Sequence, residues 1–158
     1  MSQRTKLAVA VTNLGPTQLN YFMIARVNQL MGQRHDVDFI AFYENLFRPC
    51  VPTMNFASMQ LVEAYGYDGT IIATTLLTAD KVLKFPGPKR KLFYVWDLEW
   101  LRIQDKHYST LKSIYANPNI ALIARSKEHQ RAIEDCWNRN VSYVVDDFNI
   151  EAIVGLCQ

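Results

Sequence analysis

Short β-rich apolar runs alternate along this chain with longer stretches whose apolar positions recur every three or four residues. The run "KLAVAVT" predicts a first strand over residues 7–12, and Gly15 and Pro16 then punctuate a turn. Thr17 is placed to cap a helix in which Leu19, Met23, Val27, Leu30 and Met31 fall on one face, with Gly32 as its stop. "VDFIAFY", 37–43, reads as the second strand. The irregular segment 44–56 contains Pro49 and Pro52, which break regular structure. Phe56, Met59, Leu61 and Val62 then predict a helix over 55–65.

Further strands are expected over 70–73, 92–95, 120–124 and 141–145. Helices are expected over 76–83 and 106–116, from Ser126 onward, and finally along the stripe Ile150, Ile153, Val154 and Cys157. Strands alternating with helices are an α/β pattern. Several strands are apolar at every position, as a sheet covered on both faces requires. The fold predicted is a doubly wound, mostly parallel Rossmann-like sheet of six strands with helices on both faces. It forms one domain over 1–158, in the order 3-2-1-4-5-6 or a close variant.

Composition narrows the function classes. The 158 residues are 49% hydrophobic and 20% charged, a globular balance. A formal charge of +2 gives no general attraction to nucleic acid, although a local patch could bind it. The densest basic run, "GPKRK" at 87–91, reads as a solvated loop before a strand. Three widely spaced cysteines suggest no disulfide framework, and a reduced cytoplasmic setting is expected. No CxxC pair suggests a zinc site. The apolar run Leu7–Val11 is too short for a membrane span or a signal segment.

In such a fold, ligands sit at the carboxyl ends of the strands, near the point where strand order reverses. The first strand ends in "TNLGPT", offering Thr12, Asn13, Gly15 and Thr17. Gly15 would allow close backbone approach to a ligand, or it simply makes a turn. The run is neither GxGxxG nor a P-loop, which argues against an ordinary nicotinamide dehydrogenase. Thr74 and Thr75 are ligand donors or helix caps. The fifth strand ends at Arg125 and Ser126, and the sixth at Asp146 and Asp147. His35, His107 and His129 share no metal spacing, and GxSxG is absent, so no hydrolase motif is present.

The stretch "KLFYVWDLEWLR", 91–102, carries the most chemistry. In an extended chain, Asp97 and Glu99 would lie on one side. Paired carboxylates can hold a divalent ion or activate a hydroxyl, and Asp97 is the catalytic candidate. Trp96 and Trp100 could stack on a sugar or base, or cover the sheet. Together with segment 44–56 they also suggest a homodimer interface.

This stretch, with "NIALIARSKEHQRAIEDCWNRNVSYVVDDFNIEAI" (119–153), resembles the N-terminal half of the two-domain glycosyltransferases of the GT-B class. It is most similar to small glycosyltransferase-like proteins of large tailed phages and bacteria. In that family a strand ends in an aromatic or acidic residue facing the cleft between domains, and the next ends in a serine that starts a helix, as Ala124-Arg125-Ser126 does here. The resemblance implies transfer of a sugar from a nucleotide sugar to a hydroxyl on a glycan or a phage DNA base, with nucleic acid involved only as acceptor. It implies Asp97 polarising that hydroxyl, and Asn13, Gly15, Thr17, Thr74, Arg125 and Ser126 around the ligand, with Arg125 steadying phosphate. It names no metal and leaves the cofactor open. Family members carry most nucleotide-sugar contacts on a second domain, so a companion chain or homodimeric cleft is expected to supply them here. The alternative is a non-catalytic binding or assembly subunit that keeps the fold.

Overall fold

The computed structural model describes residues 4–103 and 105–157. Seven strands form one parallel sheet: β1 (Thr5–Val11), β2 (Val37–Tyr43), β3 (Ala57–Gln60), β4 (Thr70–Ala73), β5 (Arg90–Val95), β6 (Ala121–Ala124) and β7 (Tyr143–Val144). Their order across the sheet is β3-β2-β1-β4-β5-β6-β7. The chain steps outward from β1 to β2 and β3, then returns to the other side of β1 to lay down β4. The β1–β4 boundary is therefore the point where strand order reverses.

Helices cover both faces: α1 (Gln18–Gln33), α2 (Leu76–Lys84), α3 (Tyr108–Tyr115), α4 (Lys127–Trp137) and α5 (Ile150–Leu156). Side chains alternate along each strand, so β1 feeds two cores. Leu7, Val9 and Val11 pack against Met23, Val27 and Val154 on the α1 and α5 side. Ala8 and Ala10 face the layer that contains Val82, Ile114 and Ile133. This two-sided burial explains why β1 is apolar from Leu7 to Val11 and β5 from Leu92 to Val95. Burial of such side chains, at about 25 cal/mol per Å² of apolar surface, is the main driving force for the fold.

Helix starts follow the sequence. Thr17, Thr75 and Ser126 each accept a hydrogen bond from the amide three residues on, satisfying one of the free N–H groups of a first turn. Gly32 does not stop α1, which runs to Gln33 and is capped by Arg34.

The predicted helix over 55–65 is not formed. Residues 57–60 are strand β3, followed by a 3-10 turn over Leu61–Gly66. The spacing that looked helical splits by two: Phe56 packs edge-on against Phe39, at 5.2 Å between ring centres, while Met59 pairs in register with Phe42 on the other face. The third strand of the sheet is thus 57–60, and 70–73 is the fourth. The last strand is shorter than predicted, only Tyr143–Val144.

Nor is "GPKRK" a solvated loop, because β5 begins at Arg90. The Arg90 guanidinium donates to the Leu156 carbonyl and, at 2.7 Å, to the Tyr143 hydroxyl, which ties α5 and β7 to the sheet. Lys91 donates to the Leu83 carbonyl at 2.9 Å, near the end of α2. Among the described residues no helix is long and apolar enough to cross a membrane.

Candidate functional site

A cleft of about 310 Å³ opens at the carboxyl ends of β1, β4 and β5, astride the reversal point. That is near the lower limit of ligand pockets, with room for about one sugar ring or nucleoside. Thr12 and Asn13 supply one wall, the first turn of α1 from Thr17 to Asn20 a second, and Thr74 and Thr75 the floor. Trp96, Asp97, Glu99 and Arg102 close it from the segment after β5.

The β1–α1 turn is held by its own amides. Asn13 Oδ1 accepts from the Gly15 amide at 2.8 Å. Asn20, 3% exposed, donates from Nδ2 to the Asn13 carbonyl at 2.7 Å and to the Gly15 carbonyl at 2.9 Å. A Cβ on Gly15 would come within 2.6 Å of the Phe47 ring and 2.9 Å of Asn13 Oδ1. Gly15 therefore lets segment 44–56 pack down on the turn, and it does not line the cleft.

Thr74 is 2% exposed and donates its hydroxyl to the Ala10 carbonyl at 2.7 Å, cross-linking β4 to β1. Thr75 Oγ1 lies 3.4 Å from Thr12 Oγ1, so the two hydroxyls bridge the cleft floor while Thr75 also caps α2.

The chain does not stay extended after β5. It bends at Asp97 and enters a 3-10 turn over Glu99–Arg102. The two carboxylates still reach one cleft but perform different tasks. Asp97 is exposed and pairs with the Arg102 guanidinium at 3.3 Å. Glu99 Oε1 accepts from the Leu76 amide at 3.0 Å, placing its charge at the positive end of α2. Burial pushes the Glu99 carboxyl up; the Leu76 amide opposes that shift and nearby Asp97 adds to it.

The two tryptophans are not a surface pair. Trp96 continues the strand alternation past β5 and is 5% exposed, packed on Phe22 and Tyr94 with ring centres about 6 Å apart. Trp100 turns to the opposite layer, edge-on to Tyr115 at 5.1 Å and to Trp137 at 5.8 Å. Neither supplies the exposed aromatic surface on which a dimer through these residues was expected.

Arg125 stacks its guanidinium 4.0 Å from the centre of the Trp96 ring. It does not itself line the cleft, but the tryptophan that carries it does. Ser126 caps α4, accepting from the His129 amide at 3.1 Å, and also lies outside the cleft lining. The residues singled out in the sequence that are brought together are thus Thr12, Asn13, Thr17, Thr74, Thr75, Trp96, Asp97 and Glu99. Gln18, Asn20 and Arg102 join them without having been assigned to the site. Among the described residues no group of three His, Cys, Asp or Glu side chains gathers as a metal site would require.

No protein-family model, no curated protein and no solved structure matches the chain. The Rossmann-like architecture is established by the sheet order and parallel register, and it is an architecture compatible with nucleotide binding. It does not single out one family, since such a fold hosts many chemistries.

Proposed function

We propose that this chain binds a hydroxyl-bearing ligand at the reversal-point cleft and serves as the acceptor-side module of a glycosyltransferase-like protein. Supporting this reading is one arrangement: two carboxylates, Asp97 and Glu99, facing hydroxyls and amides from Thr12, Asn13, Thr17 and Thr75 across a single cleft. Carboxylates accept hydrogen bonds from sugar hydroxyls, and threonine and amide groups both donate and accept. The lining carries two acids against one arginine, a charge balance that suits a neutral polyol better than a bare diphosphate. Asp97 is the exposed member and takes the acceptor proton as general base; Arg125, resting on Trp96, is the nearest stacked cation for a departing phosphate.

A second reading is favoured by one observation. Both carboxylates already have partners, Asp97 in Arg102 and Glu99 in the Leu76 amide. A cleft without a free base fits a non-catalytic binding subunit that keeps the fold.

Turnover of nucleotide sugars with glycan and nucleoside acceptors separates the two. On the first reading Asp97→Asn lowers kcat by about 100- to 10,000-fold, the usual contribution of a general base, and leaves thermal unfolding unchanged. Turnover insensitive to that substitution removes Asp97 from the chemistry. Ligand binding without turnover selects the binding subunit.

A further inference from the structure

We propose that β3 is the edge at which two copies of this chain join, antiparallel about a two-fold axis, into one continuous sheet. The two edges of the sheet differ. β7 is two residues long, and such brevity protects an edge. β3 is longer and all four of its residues, Ala57–Gln60, are exposed. From Phe56 to Val62 there is no lysine, proline or other charged residue, so the usual guards against strand addition are missing. Among the described residues no loop backbone hydrogen-bonds to Ala57–Gln60. Its outward amides and carbonyls are left to water.

Apolar side chains flank this bare edge. Leu46 and Phe47, 82% and 55% exposed, lie in the segment that leads to it. Met59 and Val62 are 42% and 66% exposed, on the strand and two residues past its end. These four supply apolar surface toward the roughly 800 Å² per partner that a stable interface buries.

The occupant is a second copy because the edge complements itself. A two-fold axis through Ser58 sets Ser58 opposite its own copy and Ala57 opposite Met59, and exchanges the same donors and acceptors in both directions. With no charge from Phe56 to Val62, the edge does not repel its own copy. The inference is independent of the cleft, since none of these residues lines it.

Sedimentation and light scattering test it. The native chain should run at twice 18.3 kDa in the micromolar range. Met59→Lys should weaken association by at least about tenfold, equivalent to 1.4 kcal/mol, with secondary structure and cleft ligand binding unchanged. Ser58→Cys should form a disulfide-linked dimer under mild oxidation that the native chain does not. A native chain monomeric at millimolar concentration, whether its edge stays bare or takes a strand from another protein, overturns the proposal. So does a dimer that Met59→Lys leaves intact.

Discussion

Between pH 10 and about 12 the protein should lose several kcal/mol of its stability. Tyr94 and Tyr115 are fully buried in the two layers of the core. Burial pushes the Tyr94 phenol from 10 up to about 12, partly offset by the Phe148 amide that bonds to it. Burial raises Tyr115 as well, with the Glu99 carboxylate adding to the effect. In the unfolded chain both phenols ionise near pH 10. Above that pH the unfolded state holds fewer protons than the folded one. Stability is therefore complete below pH 10 and falls as pH rises toward the folded-state values. Each tyrosine contributes about 1.4 kcal/mol per pH unit, so the pair removes roughly 3 kcal/mol per unit from a total on the order of 5–15 kcal/mol. Denaturant titrations from pH 8 to 12 measure the slope. Tyr94→Phe should flatten it by about 1.4 kcal/mol per unit. It should also lower stability at pH 8, because the Val145 carbonyl and Phe148 amide lose their shared hydroxyl beside two left-handed residues, Asp147 and Phe148. A stability flat to pH 12 would contradict this account of the core.

Trp96→Ala should be the most damaging change at the cleft. Emptying a packed aromatic site costs about 3–5 kcal/mol. The same side chain walls the cleft and carries Arg125 at 4.0 Å. The variant should therefore lose both stability and ligand binding, whereas Trp96→Phe should keep most of each. Thermal unfolding of the two variants separates this from a tryptophan that serves ligand alone: a Trp96→Ala protein with native stability would place the ring outside the core.

The fold was legible wherever one physical signal dominated. Strands β1 and β5 are buried on both faces, so their apolar runs could be read directly. Thr17, Thr75 and Ser126 could be read as caps because a side-chain oxygen before a helical stripe has one local use. β3 was not legible. It is four residues long, exposed, and defined by pairing with β2, a partner distant in sequence, rather than by its own pattern. At the site, the strand ends gave Asn13, Thr17, Thr74 and Asp97. The task of Glu99 was hidden because it depends on a 3-10 turn that swings its carboxylate to α2, 23 residues back along the chain. The two tryptophans looked equivalent in sequence, yet the bend at Asp97 sends them to opposite layers.

Ligand titration of the isotope-labelled protein, followed by backbone amide shifts, tests the central claim most directly. Nucleotide sugars, nucleosides and free sugars should be added one at a time. The account predicts that at least one of them shifts amides at 12–20, 74–76 and 96–102 together, and that Asp97→Asn weakens that ligand. Shifts confined to the opposite ends of the strands, around 88–91 and 118–121, or no shift with any of these ligands, would contradict it.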